Sequence, residues 1–198
     1  MAHPSHHSSS FISHSGYHHY YRYGDRSSDI QAEIIAGIVV LLILFVLETV
    51  SSYHEDTIKR ERISGKEPLR TSYEVTAFLL DSEEFITEPE LLVQGLSYFH
   101  ERTGVQLVVK TTNQNFSDEK TLNLYNQLFD DESHVLIVIP TTYKQSVEEP
   151  IQFYAIGDDA NAVISDDTID YLLEQISDTS SGMSWQYSLE EIANIIIE

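Results

Sequence analysis

The sequence has no cysteine and few basic residues. Without cysteine there are no disulfides, thiolate nucleophiles or cysteine-based metal sites, and either side of a membrane remains possible. The 198 residues carry 11 Lys and Arg against 32 Asp and Glu, a formal net charge of −21. Residues 71–198 hold 24 acidic and four basic side chains, and hence a local net charge of −20. A field of this sign opposes nucleic acid and anionic lipid as partners and favours solubility, cations or basic proteins.

Catalytic motifs are also missing. The sequence has no Gly-rich phosphate loop, His-Glu-x-x-His pair, Gly-x-Ser-x-Gly elbow or nucleophilic triad. From residue 71 onward the histidines are His100, in a predicted helix, and His134, which opens a predicted strand. We expect structural or surface roles for both. No catalytic residue is therefore assigned, and a non-enzymatic role is favoured over an enzymatic one.

Residues 1–29 have almost no aliphatic side chains. They contain six of the nine histidines and four of the twelve tyrosines. Such a segment cannot offset its ordering entropy by burial, so we predict a disordered tail. Its paired histidines, at positions 6–7 and 18–19, could bind zinc, copper or nickel loosely, which leaves a metal-capturing tail as one alternative function.

Residues 34–47 form a run without polar side chains. Extended to residues 30–50, the segment reaches about 31 Å as a helix, enough for a hydrocarbon core of about 30 Å. Twelve Ile, Val, Leu or Phe residues supply roughly −4 to −7 kcal/mol of insertion preference. We therefore predict a single transmembrane helix at residues 30–50; a buried core helix and a cleaved signal peptide are the alternatives.

Residues 51–70 read as a polar linker. They carry five Lys and Arg, against two ahead of the helix, which by itself would place the C-terminal domain in the cytoplasm. The count of five against two is a small bias, and the tail ahead of the helix is itself weakly charged. The prediction is a single-pass protein of the cell membrane; the extracytoplasmic side is favoured for its soluble domain, and the cytoplasmic side stays open.

Residues 71–198 alternate strand and helix patterns. Strands are predicted at residues 71–80, 105–111, 134–139 and 151–156, and helices open near Thr87, Ser117, Ser165 and Ser188. Glu90 and Glu191 complete capping boxes with Thr87 and Ser188, and Gly104 is the expected helix stop. The almost wholly apolar strand at 134–139 indicates a central position in a parallel or mixed sheet. The order predicts a three-layer α/β sandwich with a mixed sheet.

Carboxylates follow several predicted strands. Asp81 follows the first strand, Asp158 and Asp159 follow the strand at 151–156, and Asp166 opens a helix. If the loops after these strands meet at one edge of the sheet, the four side chains make an oxygen-lined site of the kind calcium prefers. The alternative is that they are solvated turn formers and helix caps.

Three segments carry a resemblance to a known family. Asp81, with Ile86 five positions later and Thr87 at six, is similar to the first-strand aspartate followed by Leu-Ser in the TPM domain family. Residues 101–109, Glu-Arg-Thr-Gly-Val-Gln-Leu-Val-Val, resemble that family's helix end and second strand. Gly157, with Asp166 nine positions later, resembles its Gly-x-Gly-x-Glu-x-x-Leu-x-Asp turn. The resemblance covers about residues 73–197.

The TPM resemblance implies a Rossmann-like three-layer sandwich in an extracytoplasmic domain, as in thylakoid-lumen photosystem II repair proteins and bacterial membrane-anchored proteins. It implies calcium binding by acidic loops in some members and acid phosphatase activity in a few. The chain is thus expected to be a membrane-anchored interaction or scaffold module whose partner is another membrane or envelope protein. A metal-assisted phosphatase is the alternative.

Overall fold

The computed structural model describes residues 26–70, 72–141 and 152–198. The chain divides into two compact units between Val50 and Ser51. Of the tail predicted at residues 1–29, residues 1–25 lie outside the described part, and the chain is helical from Arg26.

The first helix, α1, runs from Arg26 to Ile63. Residues 33–50 are all exposed, and in the described part of the chain α1 is the one helix long and apolar enough to cross a membrane. Neither glycine nor proline occurs between positions 38 and 63, so nothing in the sequence interrupts the helix where the apolar run ends.

The segment expected as a polar linker differs from that expectation. Residues 51–63 continue α1, and Ile63, at 1% exposure, belongs to the main apolar core of the second unit. The helix stops before Gly65, whose φ of 73° is left-handed. Polar composition alone did not reveal that this segment packs against the domain.

The second unit is an α/β domain with a mixed four-stranded sheet. Its strands are β1 (Leu79–Leu80), β2 (Gln106–Thr112), β3 (His134–Pro140) and β4 (Phe153–Ile156). Its helices besides α1 are α2 (Pro89–Thr103), α3 (Asp118–Leu128), α4 (Asp158–Asn161), α5 (Asp166–Gln175) and α6 (Gly182–Ile197). The sheet order is β1-β2-β3-β4; β1, β2 and β3 are parallel, and β4 is antiparallel to β3.

The prediction for β3 is confirmed. Every residue of this strand is buried, and it lies between β2 and β4. Val135, Ile137 and Ile139 belong to one apolar cluster, and Leu136 and Val138 to another. Because successive side chains of a strand point to opposite faces, the sheet has apolar cover on both sides.

The strand predicted at residues 71–80 is much shorter than expected. Only Leu79–Leu80 pair as a strand, and Thr71 lies outside the described residues. The Gln106 side chain takes the place of a backbone partner further upstream. Its Nε2 donates to the Thr76 carbonyl at 2.7 Å, and its Oε1 accepts from the Thr76 amide at 3.0 Å. The chain is thus held extended by a side-chain amide.

Both predicted capping boxes are wrong. Helix α2 begins after Glu88, and the Thr87 hydroxyl donates instead to the Ser180 carbonyl at 3.0 Å. Ser188 lies inside α6 and donates to the Ser184 carbonyl. Helix α6 is capped by Ser181 instead. Its first residue, Gly182, lies so close to the start of α2 that an added Cβ would be 2.1 Å from the Glu88 carbonyl oxygen. Close approach of two helix starts therefore overrode the local signals.

The other predicted helix ends are closer to the structure. Gly104 ends α2 with φ 72°, and Ser117 caps α3 by accepting from the Lys120 amide, as expected. Ser165 occupies the cap position of α5, but its hydroxyl contacts the Thr168 hydroxyl at 3.1 Å rather than a backbone amide.

Candidate functional site

Asp81 lies directly after β1, where three donors saturate its carboxylate. The Thr111 hydroxyl and the amides of Phe85 and Ile86 donate to it, the amides at 3.1 and 2.9 Å. Burial alone would raise the pKa of Asp81, but these hydrogen bonds hold it below its ordinary value. The carboxylate closes the loop that leads to α2, which is a structural task.

The other three predicted ligands lie elsewhere. Asp158 and Asp159 form the first turn of α4, and Asp166 lies in the first turn of α5. Asp166 lies near the Tyr154 hydroxyl, which donates to Asp170 at 3.1 Å. Burial and these two carboxylates raise the pKa of Tyr154.

The four carboxylates do not converge, because β4 runs antiparallel to β3. Leu80, just before Asp81, pairs with Lys110 of β2, which in turn pairs with Val138 of β3. The Gly157 amide, just before Asp158, donates instead to the carbonyl of His134 at the start of β3. Four residues of β3 separate these levels, roughly 13 Å at about 3.3 Å per residue. Asp81 and Asp158 thus lie at opposite ends of the sheet. Calcium binding itself stays a prediction.

At the amino end of β3 the structure forms a different cluster, centred on His134. This imidazole is 1% exposed and stacks on Phe129 with ring centroids 4.2 Å apart and an interplanar angle of 12°. Its Nδ1 lies 3.0 Å from Asp131 Oδ1. With Nδ1–H donating to the carboxylate, Nε2 carries the lone pair, and it is buried without a hydrogen-bond partner.

Tyr73 packs between His134 and His100. Its ring centroid lies 4.9 Å from that of His134 and 5.8 Å from that of His100, edge-on to both. The Tyr73 hydroxyl donates to the Gly104 carbonyl at 2.7 Å. Burial, with a smaller contribution from Asp131, raises the pKa of Tyr73 to about 12. Tyr73 is therefore a neutral hydrogen-bond donor here.

Burial also governs both histidines. It lowers the pKa of His134, against the opposing effects of the Asp131 carboxylate and the Glu74 carbonyl. It lowers the pKa of His100 too; Glu101 opposes this shift and His134 adds to it. Both rings are consequently held neutral at pH 7.

An open cleft of about 420 Å³ borders this cluster. Tyr73 and His100 line it together with Arg70 and Glu101. His134 lies behind Tyr73 and is not part of the lining. The arrangement can hold a buried neutral imidazole that is oriented by a carboxylate, with Tyr73 separating it from the cleft.

Sequence reasoning did not group these residues. It expected structural or surface roles for His100 and His134. The available signal was the pair Asp131 and His134, three positions apart ahead of an apolar strand. Tyr73 is distant in sequence and joins them only through the extended segment that Gln106 holds.

Across residues 26–70, 72–141 and 152–198, no group of three or more His, Asp or Glu side chains is arranged to hold a metal ion. No protein-family model and no curated protein matches the chain. Among solved structures, it is similar to the N-terminal domain of the cg2496 protein from Corynebacterium glutamicum, determined by NMR in solution. The identity is 11% and the TM-score 0.45, over 66% of this chain and 85% of that one; a likeness of this size carries no argument about fold or function.

Proposed function

We propose that this protein is a single-pass membrane protein whose acidic α/β domain is a non-enzymatic interaction module beside the bilayer. The observation that carries the proposal is the exposure of the apolar part of α1. Leu41 is 67% and Phe45 63% exposed, and no residue between positions 33 and 50 is buried. An exposed apolar surface of this kind is unfavourable in water. Because the helix is apolar all round, lipid can surround it on every side.

For the domain we propose a three-layer, Rossmann-like sandwich of the TPM type. The two apolar clusters on opposite faces of the sheet support this architecture. Helix α3 contributes Tyr125 to one cluster, and α2, α5 and α6 contribute to the other. We place the domain on the extracytoplasmic side. Protease added to intact cells should then digest it.

The state of the candidate catalytic groups favours interaction over catalysis. The carboxylate of Asp81 accepts hydrogen bonds from two amides of its own loop and from the Thr111 hydroxyl of the neighbouring strand β2. The free nitrogen of His134 is buried behind Tyr73. Neither group is presented to a substrate, which supports a binding role.

The expected partner is a basic segment of another membrane or envelope protein. The local net charge of −20 from residue 71 onward favours such a partner and disfavours nucleic acid. In native membranes, chemical crosslinking of the full chain should give a discrete adduct at about 0.1 M salt that weakens at about 1 M, because salt screens exposed charges. An adduct of unchanged yield at high salt would contradict an electrostatic partner.

Membrane insertion is tested by charge placement. Leu41→Arg with Leu44→Arg should cancel the insertion preference, since each arginine costs about 2.5–3.5 kcal/mol at the helix centre. The protein would then leave the membrane pellet on alkaline extraction, whereas the unaltered chain stays in it.

The matched control is the double variant Leu122→Arg with Leu128→Arg. It introduces the same charges at exposed leucines of α3, outside the anchor. This variant should remain in the pellet. If the unaltered chain is itself extracted without detergent, the proposed anchor is rejected.

A further inference from the structure

The segment 72–78 is lightly attached to the rest of the domain. Residues 72 and 74–77 are exposed, and the segment has no regular secondary structure before its last residue. Within residues 26–70, 72–141 and 152–198, its hydrogen bonds join Tyr73 to the Gly104 carbonyl, Thr76 to the Gln106 side-chain amide, and the Phe78 carbonyl to the Val109 amide. A segment held by so few bonds can open without the core unfolding.

Tyr73 is the point at which this segment covers His134. The tyrosine ring lies edge-on between His134 on one side and His100 on the other. His134 sits on Phe129 and has no second polar partner for Nε2. A proton added at Nε2 would therefore create a positive ring with a buried N–H donor beside Tyr73, which is costly in an apolar surrounding.

The charged groups around the two rings are few. Asp131 faces His134 from the loop before β3, and Glu101 acts on His100 from α2. The segment itself contributes the Glu74 carbonyl and the neutral Tyr73 hydroxyl, and α3 is followed by the apolar Phe129. Asp131 compensates the proton on Nδ1 of His134, whereas Nε2 has no hydrogen-bond partner. The Asp131 carboxylate and the Glu74 carbonyl favour the protonated ring, but burial outweighs both and the pKa of His134 stays lowered.

We propose that the segment 72–78, which we call the clasp, covers His134 through the Tyr73 ring at neutral pH and is released by acid. Uptake of protons by His134 and His100 frees Tyr73 from between the rings, and the segment swings away from the amino ends of β2 and β3. Release gives Nε2–H access to water and exposes the His134 ring to the cleft. The device acts within the soluble domain and does not depend on the proposed anchoring.

The sign of the pH dependence follows from the direction of both shifts. Each histidine has a folded-state pKa below the ordinary 6.5. The closed state therefore binds fewer protons than the open one. Its stability is fully present above about pH 6.5 and decreases as the pH falls from there towards the lowered folded pKa values.

The experiment is hydrogen exchange of the full chain in detergent at about pH 7.5 and about pH 5.0, with each rate divided by the intrinsic rate at that pH. Protection of residues 72–78 should fall more than about twofold at the lower pH, because the open state takes up protons there that the closed state does not. Protection of α6 should not change. Equal losses in both regions, or no loss at 72–78, would overturn the proposal.

Substitutions of three histidines by asparagine assign the effect. His134→Asn keeps an N–H donor towards Asp131 and cannot take up a proton, so the loss at 72–78 should shrink to less than about twofold. His54→Asn, at an exposed position of α1, should behave like the unaltered chain. A full acid response in His134→Asn would overturn the proposal. If His134→Asn lacks protection in α6 at the higher pH, the variant is not folded and His100→Asn is used in its place. A smaller acid-induced loss of protection at 72–78 in His100→Asn supports the clasp, and an unchanged loss rejects it.

Discussion

The two parts of helix α1, residues 33–50 and 51–63, share one continuous helical backbone but differ in how their side chains are exposed. From residue 33 to 50 every side chain is exposed, whichever way it points. From residue 51 to 63 the less exposed positions fall on one stripe, at Asp56, Thr57, Lys59, Arg60 and Ile63. Because helical neighbours recur every three or four residues, such a stripe marks one face against protein, whereas an all-round apolar surface suits lipid.

The contacts of the second part explain the stripe. Arg60 Nε donates to the Tyr171 hydroxyl at 3.2 Å, and that hydroxyl donates to Asp56 at 2.6 Å. Lys59 donates to Glu174 at 2.7 Å, and Arg60 also pairs with Glu191. Two of the five basic residues that would count as topology signals, Lys59 and Arg60, thus also bind acidic residues of α5 and α6.

The largest expected effect comes from removing the second part altogether. A chain that begins at Ser72 lacks Ile63 and all of these polar contacts, whereas one that begins at Ser51 keeps them. The shorter chain should lose more than about 3 kcal/mol of unfolding free energy, since loss of one buried Ile side chain alone costs about 2–5 kcal/mol. Urea unfolding followed by fluorescence of the buried Trp185 measures the difference. Equal midpoints would show that residues 51–70 are a linker after all.

A single isoleucine in each part sharpens the contrast. Ile63→Ala should lower the unfolding free energy of the domain by about 2–4 kcal/mol, because its side chain is buried in the core. Ile43→Ala, in the exposed apolar part, should leave it unchanged. The same urea titration, on full chains in detergent, compares the two. A similar loss in both variants would remove the distinction between the parts.

The Tyr171 hydroxyl tests the polar contacts of the stripe. Tyr171→Phe removes both of its hydrogen bonds while keeping the ring, and should cost about 1–2 kcal/mol. Tyr187→Phe is the control, since Tyr187 is 72% exposed and Tyr171 only 3%. Thermal and urea unfolding should separate these variants, and an equal, negligible cost would mean that the ring alone holds α1.

The smallest effect is expected at Lys59. Its pairs with Glu174 and Glu55 lie at the surface, where solvent weakens them. Lys59→Met should shift the unfolding midpoint slightly at low salt and not at about 1 M salt. A double-mutant cycle with Glu174→Gln isolates the pair, and a salt-independent shift would indicate packing of the lysine stem instead.

How far the sequence predicted the fold can be seen at particular elements. The apolar run of β3 predicted a buried central strand, because only a strand covered on both faces tolerates that composition. The run at 71–80 predicted a strand as well, but only Leu79–Leu80 pair, and at Thr76 the Gln106 side chain replaces a backbone partner. Local propensity cannot foresee a side chain that comes 30 residues later.

The candidate site was less predictable. The proposed carboxylate site assumed that the loops after all strands lie at one edge of the sheet, and the direction of β4 separates Asp81 from Asp158. The cluster of His134, Tyr73 and His100 depends on where the extended segment crosses the amino ends of β2 and β3. Neither feature leaves a pattern in a single stretch of sequence.

By itself the sequence determined the apolar segment, the α/β alternation, the central strand and the acidic charge, because each depends on composition or on the spacing of neighbouring residues. Only the tertiary structure decided that residues 51–63 join the domain, that α2 and α6 start against one another, and that His134 is buried behind Tyr73. These features arise from contacts between residues far apart in the chain, where close packing overrides local preference.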